Sequence, residues 1–332
     1  MSVPLRFFAG LAAGLALSFG AYFGLLFWQL GAPTPMSFWS YDLNTRKHAR
    51  AAAITEPKLL IVGGSGALFG INARLLEREL GVPSVNLGTH AVLATAYILN
   101  LARKSARPGD TVLLVFEYEL FANGDSNMND WADPQFIDFL MARDPAYFRA
   151  MPMATQFNLA MRLSLERLKR GIKEKIHPTG MTVSTEYSPY DAKNVDEYGD
   201  MTGHSRGRIP AYAPRELETS GLLADGLPEA PSGMIEIRDF VIWATTNKVR
   251  VLASFPNLCA KPAYDTAKAE QTAAKITAFY TSCGVPVLGS YRDALLPRGD
   301  FFDTCYHLTE EAARERTRRF VPLLKPYFPP RR

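Results

Sequence analysis

The chain of 332 residues has 37 basic and 33 acidic side chains, a formal net charge of +4, and 47% of its residues are hydrophobic. These values are those of an ordinary globular protein, and they exclude wholesale disorder, a collagen-like chain and a coiled coil. So small a charge excess does not indicate nucleic-acid binding. Three cysteines without a CxxC pair exclude a disulfide-built miniprotein and show no cysteine metal motif.

The first long apolar segment runs from Phe7 to Leu30 and contains no charged residue. As a helix it would be about 36 Å long, enough to cross a hydrocarbon core of about 30 Å. Arg6 precedes it, and Trp28 lies near its far end, where an interfacial aromatic residue is expected. We predict a short tail at residues 1–6, then a transmembrane anchor at residues 7–30.

The same segment has two other interpretations. A cleaved signal peptide has an apolar region of about 7–15 residues, shorter than this one, although Ala16 and Ser18 resemble the small residues of a cleavage site. A buried core helix is disfavoured because the segment is apolar on every face. With no second apolar stretch of this length, we expect a single-pass protein of the inner (cytoplasmic) membrane, with its globular part facing the periplasm or the exterior.

After a polar connector at residues 31–57, short apolar runs alternate with segments of helical spacing. The predicted strands are residues 58–62, 83–88, 111–116, 250–254 and 285–288. The predicted helices are residues 72–80, 91–104, 232–247, 263–282 and 309–324. This alternation with short links predicts an α/β domain at residues 58–328 with about five parallel strands.

An insertion at about residues 121–231 interrupts this alternation. Residues 133–175 have the spacing of an amphipathic helical segment, and residues 177–231 are polar and rich in turn-forming residues. The second part is interpreted either as a surface loop or as a cover over a substrate site. We do not expect the insertion to be a separate domain.

A glycine-rich turn, residues 63–66, follows the first predicted strand at the sheet edge where α/β proteins form their sites. A phosphate-binding loop requires a lysine after its last glycine, but Ile71 follows Gly70. A dinucleotide fingerprint requires a third glycine where Phe69 stands. The remaining interpretation is a serine nucleophile, Ser65, exposed by its small neighbours at a helix N-terminus.

A serine nucleophile needs a base, and the base needs an orienting acid. The histidines are His48, His90, His177, His204 and His307. His307 precedes the last predicted helix, and Asp303 lies four residues upstream, so one loop supplies both groups; Asp300 is the spare acid. The alternative is that Asp303 and His307 only cap the last helix, but Thr309 already fills that role.

The order of these residues resembles that of the SGNH (GDSL-like) hydrolase family, in the membrane-anchored branch that acts on acyl groups of cell-envelope polymers. Ser65 corresponds to the family's nucleophile, residues 86–88 (Asn-Leu-Gly) resemble its second block, and Asp303 with His307 resembles its terminal block. The resemblance implies a three-layer, flavodoxin-like fold without a cofactor or metal. It also implies that the N–H groups of Ser65 and Gly88 bind the oxyanion.

Two departures from the family pattern stand out. Gly64 replaces the aspartate that usually precedes the serine, and the Gly-x-Asn-Asp block is missing after the third predicted strand. Losing an oxyanion donor of the kind this asparagine supplies costs about 2.7–4 kcal/mol of transition-state stabilisation. Glu117, Glu119 and His90 are candidate substrate contacts at the same edge, or, for the two glutamates, ordinary solvated strand-end residues.

The resemblance therefore predicts a serine O-acyl, chiefly O-acetyl, esterase or transferase that acts on an envelope or extracellular polysaccharide. Its expected partners are the membrane, the polysaccharide and other proteins of an export or acylation assembly, with no nucleic acid. The alternative is a catalytically silent scaffold that binds glycan or a partner protein. An α/β-hydrolase is disfavoured because Ser65 follows the first strand of the globular part.

The cysteines allow two interpretations. Cys259 and Cys283 flank the helix predicted at residues 263–282, and in an exported domain they could form a disulfide, leaving Cys305 beside the predicted acid and base. The alternative is three buried thiols, and the sequence leaves both open.

Overall fold

The computed structural model of this chain describes residues 3–178, 190–213 and 221–329. The strands are β1 Leu59–Gly63, β2 Ser84–Asn86, β3 Thr111–Val115, β4 Arg250–Ser254, β5 Leu258–Cys259, β6 Val287–Leu288 and β7 Leu295–Leu296. The first helices are α1 Val3–Trp28, α2 Pro35–Ala53, α3 Ser65–Gly70, α4 Ala73–Leu80, α5 Thr95–Ser105, α6 Tyr118–Ala122, α7 Met128–Trp131 and α8 Pro134–Arg143. The remaining helices are α9 Pro145–Ala150, α10 Met153–Ala160, α11 Leu165–Ile176, α12 Leu222–Asp225, α13 Ser232–Thr246, α14 Ala267–Ser282 and α15 Glu310–Leu324.

The chain forms an α/β fold around a five-stranded parallel sheet in the order β2-β1-β3-β4-β6. This confirms the prediction of about five parallel strands. Every residue of β1 and β3 is buried, as expected for strands that are covered on both faces. A second, two-stranded parallel sheet pairs β5 with β7, and neither of these two-residue strands is predicted from the sequence.

Capping residues define the ends of two helices, α4 and α15. The Asn72 side chain accepts a hydrogen bond from the backbone of Leu75 at the start of α4, and Gly81 ends that helix in the left-handed region with φ +66°. Thr309 caps α15 by accepting from Ala312, as predicted. These caps fix the residues at which α4 and α15 begin.

The contacts divide the chain into two compact units. One consists of Met1–Tyr41 with Ala132–Thr185, and the other of Asp42–Trp131 with Glu186–Arg332. This division differs from the single domain expected at residues 58–328, because the helices that follow Trp131 group with the N-terminal segment. The predicted polar connector also contains a helix of 19 residues, α2.

The first unit contains the long apolar helix α1. Its stretch from Pro4 to Trp28 is long and apolar enough to cross a membrane. Only 6% of its most apolar 18 residues is buried within the protein. The segment with helical spacing, residues 133–175, forms four helices, α8 to α11. Pro145 and Pro152 account for the first two breaks, and Ser164 caps α11 after the third. Close to the end of α1, the buried Gln29 side chain accepts a hydrogen bond from Arg167.

The second unit contains the five-stranded sheet and the residues of the predicted site. Cys259 lies buried in β5, and Cys283 follows α14. The structure contains no disulfide between them, which corrects the suggested pairing. Instead, the backbone N–H of Cys259 donates to the carbonyl of Cys305, so Cys259 neighbours the loop of the predicted acid and base.

Candidate active site

Ser65 stands at the first position of α3, immediately beyond the carboxyl end of β1, and its side chain is half-buried. The turn before it requires glycine. A Cβ at Gly63 would lie 2.0 Å from the carbonyl oxygen of Val115 in the neighbouring strand, and one at Gly64 would lie 2.5 Å from both carboxylate oxygens of Glu117. The small residues therefore let β1 and α3 approach the third strand closely.

A compact loop between β7 and α15 carries the predicted acid and base. An antiparallel bridge joins Phe301 to Leu308, and the Phe302 N–H donates to the His307 carbonyl at 2.8 Å. Because the two ends of the loop are joined, Asp303 and His307 face each other inside it. Both side chains are buried, with 0% of Asp303 and 5% of His307 exposed.

Two side chains donate hydrogen bonds to the Asp303 carboxylate. His307 Nδ1 lies 2.7 Å from its Oδ1, and the Tyr190 hydroxyl donates to its Oδ2 and lies 3.4 Å from His307 Nδ1. Burial opposes ionisation of Asp303, but the hydrogen bond and charge of His307, with the Tyr190 hydroxyl, keep the pKa of Asp303 below its ordinary value. An ionised carboxylate only accepts, so His307 carries a proton on Nδ1 and leaves Nε2 as its basic nitrogen.

Phe69 connects this loop to the helix of Ser65. Its ring stacks on the imidazole of His307 with 4.4 Å between centroids and 19° between planes. Residues four apart lie on the same helix face, and side chains tilt toward the helix N-terminus, so Phe69 covers the turn that contains Ser65. This stacking therefore joins the loop of Asp303 and His307 to the helix that Ser65 begins. Within the described part of the chain, however, no hydrogen bond joins Ser65 to His307.

Glu117 contacts the nucleophile turn directly. Its carboxylate accepts hydrogen bonds from the N–H groups of Gly64 at 3.0 Å and Gly66 at 2.6 Å, and from Ser65 Oγ at 3.4 Å. Burial raises the pKa of Glu117, although the Gly66 and Gly64 N–H groups act in the opposite direction. Only 2% of the residue is exposed. The expectation that Glu117 is a substrate contact or a solvated strand end is therefore wrong: it is a buried brace of the turn.

Gly88 is also engaged internally. Its N–H donates to Asn86 Oδ1 at 2.9 Å, and its carbonyl accepts a hydrogen bond from the buried ammonium of Lys47 at 2.5 Å. The expected oxyanion donor at Gly88 is thus already satisfied by the side chain two residues earlier, which corrects that assignment for this conformation. The N–H of Ser65 stays the predicted oxyanion donor.

A polar network holds the Asn86–Gly88 segment in place. The Asn86 amide donates to the carbonyl of Ile71 at 2.9 Å and to Asp200 at 3.3 Å, while Asp200 accepts from the N–H groups of Ala73 and Arg74. Burial and the nearby Asp196 raise the pKa of Asp200 to about 6. Burial lowers the pKa of Lys47 to about 7, although Asp200 and Asp196 favour its charged form.

The other candidate residues take separate positions. The spare acid Asp300 pairs with Arg206 at 2.6 Å, and among the described residues it forms no hydrogen bond with His307. Glu119 accepts a hydrogen bond from the Tyr306 hydroxyl at 2.8 Å, which ties α6 to the His307 loop. His90 precedes a turn whose Ala91 lies beside Gly64. Substrate contact by Glu119 and His90 stays a prediction.

Two of the remaining histidines serve packing. His48 Nδ1 contacts the Ser105 hydroxyl at 2.5 Å, and burial lowers the pKa of His48 to about 4. His204 stacks edge-on against Phe69, 5.0 Å between centroids, and burial lowers the pKa of His204 to about 4. His177 ends α11 in the other unit. Within the described residues, none of the three forms a hydrogen bond with Ser65.

A cavity of about 630 Å³ lies beside Phe69, lined mainly by α4, α15 and residues 196–204. Its arginines and carboxylates are equal in number, and neither Ser65 nor His307 lines it. Among the described residues, no group of three or more His, Cys, Asp or Glu side chains is arranged to hold a metal ion.

Tyr190, Phe69 and Lys47 contact the predicted site residues, although the sequence does not predict them there. Phe69 carried a usable signal, since it lies four residues after Ser65 on the same helix face. Tyr190 stood out only as one tyrosine of the irregular insertion, and Lys47 lay in a segment predicted as a connector. No protein-family model matches this chain, and no curated protein is significantly similar to it in sequence.

Proposed function

We propose that this protein is a membrane-anchored serine O-acyl esterase or transferase of the SGNH type. The observation that carries the proposal is the buried Asp303–His307 pair, stacked through Phe69 on the helix that Ser65 begins. Nucleophilic acyl transfer requires a histidine that a carboxylate orients and a serine on which that histidine can act, and the Asp303–His307 pair with Ser65 on the neighbouring helix supports this assignment. The sheet order β2-β1-β3-β4-β6 supports the flavodoxin-like fold expected for this family.

In this mechanism Ser65 Oγ attacks the acyl carbonyl carbon while its proton passes to Nε2 of His307. Asp303 stabilises the resulting imidazolium through Nδ1, and the Ser65 N–H donates to the oxyanion. His307 then returns the proton to the departing alcohol oxygen, leaving an acyl-serine. Water or a sugar hydroxyl attacks that ester after giving its proton to His307, which regenerates Ser65. Ser65 Oγ must leave Glu117 for this step, a rotation between staggered side-chain positions.

The two departures from the family pattern contact each other, which supports reading them as one compensated change. Gly64 provides the space that the Glu117 carboxylate occupies, and the Gly64 N–H donates to it. Glu117 stands just after β3, where the family's missing block would begin. A carboxylate from this position thus braces the serine turn from the third strand.

The expected substrate is an O-acyl, chiefly O-acetyl, group on an envelope or extracellular polysaccharide, met on the periplasmic or outer side of the inner membrane. The resemblance to SGNH proteins supports this choice, and α1 supplies an anchor of suitable length. A transferase would use a sugar hydroxyl as acceptor, whereas an esterase would use water. Assembly with other proteins of export or acylation belongs to the same proposal.

The test is covalent labelling of the full chain in detergent with a fluorophosphonate, followed by peptide mass spectrometry. We expect the adduct on Ser65, its loss in Ser65→Ala, and normal labelling of Ser205→Ala, which removes another half-buried serine. Incubation with an aryl acetate should give an acetyl-sized adduct on the same peptide. Failure of the folded wild-type protein to label with either reagent would overturn the enzymatic proposal.

A second candidate function is a silent scaffold that binds glycan or a partner protein in an envelope assembly. It is favoured because backbone N–H groups that could bind an oxyanion already donate to side chains of the protein. The N–H groups of Gly64 and Gly66 donate to Glu117, and that of Gly88 donates to Asn86. In that case the wild type would remain unlabelled, and Ser65→Ala would bind acetylated oligosaccharides as tightly as the wild type does.

A further inference from the structure

Several large apolar side chains are exposed on α10 and the start of α11, in the unit that contains α1. Met153, Phe157, Met161 and Leu165 expose 83%, 43%, 50% and 67% of their surfaces. The first three follow at intervals of four residues, so they share one helix face. Leu159 and Ala160, on the other side of α10, are buried. An exposed apolar face of this kind marks an interaction surface.

This face continues the surface of the apolar helix α1. The ring of Phe157 stacks on Phe23 with 4.5 Å between centroids, and the Tyr22 hydroxyl donates to the Ala160 carbonyl at 3.5 Å. One turn further along α1, the ring of Phe27 packs against that of Phe148 in α9, with 6.3 Å between the ring centroids. The helices after Pro145 therefore pack on the last part of α1, whereas residues 4–21 of α1 are exposed.

The position of these contacts along α1 determines how deep they lie in a bilayer that α1 spans. The charge-free segment begins at Phe7, and about 20 residues are needed to cross the hydrocarbon core, which brings its boundary near Leu26. Phe23 then lies roughly 5 Å inside that boundary, at 1.5 Å per residue. Phe157 lies at the same depth because it stacks on Phe23. Interfacial amphipathic helices bury their apolar faces about 5–10 Å deep.

The charge of this region is suited to a lipid surface. Residues 145–176 carry seven basic and two acidic side chains, a formal net charge of +5, whereas the whole chain carries +4. Lys169, Arg170 and Lys173 are exposed on α11. Basic residues beside an apolar helix face attract the headgroups of anionic lipids.

We propose that α10 and the start of α11 lie in the membrane interface, with the face formed by Met153, Phe157, Met161 and Leu165 among the lipid acyl chains. The protein would then hold the membrane by a spanning helix and by a second, interfacial element that steadies the base of α1. This inference rests on the part of the proposed function that makes α1 a membrane anchor.

The experiment places the environment-sensitive fluorophore NBD at single cysteines in the full chain, reconstituted in nanodiscs containing anionic lipid. Cys259, Cys283 and Cys305 are first replaced by alanine. The test positions are Met153 and Leu165, whose exposure allows labelling without loss of packing. The controls are Leu15 on the exposed part of α1, and Ile242 of α13, an equally large apolar residue that is 59% exposed.

We expect blue-shifted emission at positions 153 and 165, quenched about two-fold or more by a spin label near the lipid headgroups and less by one near the acyl-chain ends. Position 15 should be quenched most by the deeper label, and position 242 by neither. Water-like, unquenched emission at 153 and 165 with quenching at 15 would overturn the interfacial assignment while leaving the anchor intact. Unquenched emission at 15 as well would remove the anchor and this inference together.

Blue-shifted emission at 153 and 165 that neither lipid quencher affects would also contradict the proposal, because it would show that protein covers this face. A second copy of the chain is the simplest such cover. Repeating the measurement with nanodiscs that hold one copy each would identify it, since the emission would then become water-like.

Discussion

His307 Nδ1 donates a hydrogen bond to Asp303 Oδ1 over 2.7 Å, and both residues belong to one loop whose ends are bridged by Phe301 and Leu308. The geometry depends on few distant contacts, because four residues separate the acid from the base. It fixes one tautomer of the imidazole and leaves Nε2 to exchange protons.

The first prediction concerns that tautomer. In Asp303→Asn the side-chain amide can donate a hydrogen bond to Nδ1 of His307. The proton of the neutral imidazole is then no longer required on Nδ1, and Nε2 no longer has to be the basic nitrogen. We expect kcat for aryl acetate hydrolysis to fall by at least about 100-fold, the scale of a lost general base, with little change in the unfolding midpoint. The control is Asp300→Asn, which removes only the exposed pair with Arg206 and should keep near-normal activity. Equal effects of the two changes would contradict the assignment of Asp303.

Tyr190 gives a second prediction, on pH dependence. Burial and the charge of Asp303 raise the pKa of Tyr190 far above its ordinary value, so the hydroxyl stays protonated and donates to the carboxylate. Removing this donor in Tyr190→Phe should raise the pKa of Asp303 toward its ordinary value. Where loss of the Asp303 charge limits the rate, the acid limb of kcat/KM will then move to higher pH. Tyr212→Phe, on an exposed tyrosine, is the control, and an unmoved acid limb in Tyr190→Phe would count against this positioning role.

The predictable parts of the molecule are those that local sequence determines. The buried strands β1, β3 and β4, the caps of α4 and α15, and the loop with Asp303 and His307 all depend on patterns within a few residues. By contrast, β5 and β7 are two residues long, and such short segments have no periodicity to detect.

The brace of the serine turn depended on tertiary contacts that no local pattern reports. From the sequence alone, Glu117 is interpreted as a strand-end glutamate. In the structure, the close approach of β1 and β3 brings its carboxylate to the N–H groups of Gly64 and Gly66. Lys47 reads as a surface lysine of a polar segment, but α2 places its ammonium at Gly88, 41 residues away in the chain. Tyr190 reaches Asp303 across 113 residues. These are the interactions for which an alternating or helical pattern carries no information.

A third prediction tests the contact between Gly64 and Glu117. In Gly64→Ala the new Cβ would stand 2.5 Å from both carboxylate oxygens and 2.8 Å from the Cβ of Ala91, so the brace must move. We expect a loss of about 1–3 kcal/mol in the free energy of unfolding, as for other overpacked sites. Urea denaturation of the full chain in detergent measures it.

The matched control for this change is Gly207→Ala. An added Cβ at Gly207 has no heavy atom within 4 Å, and its backbone is not in the left-handed region. Its free energy of unfolding should stay within about 0.5 kcal/mol of the wild type. A Gly64→Ala protein as stable as Gly207→Ala would show that Glu117 is not held against the turn.

The last prediction follows from the buried ammonium of Lys47. Its pKa is about 7 in the folded protein because burial disfavours the charge, while an unfolded lysine has a pKa of about 10.4. Between these values the unfolded chain binds one more proton than the native one, so stability contributed by Lys47 rises with pH and is constant below about pH 7. In Lys47→Met this dependence disappears. The wild type should therefore gain about 1.4 kcal/mol per pH unit over the variant from roughly pH 8 to pH 10.

Urea denaturation of the two proteins across this range measures the difference, and Asp200 does not interfere because its pKa is about 6, so it is ionised throughout. Lys275→Met is the control: Lys275 also donates to a backbone carbonyl, that of Pro228 at 3.0 Å, but from an exposed position. Its stability difference from the wild type should not change with pH. If the stability difference between Lys47→Met and the wild type were also independent of pH, Lys47 would be charged in the folded protein across this range. Its ammonium would then be solvated and would not be a buried support of the Asn86–Gly88 segment.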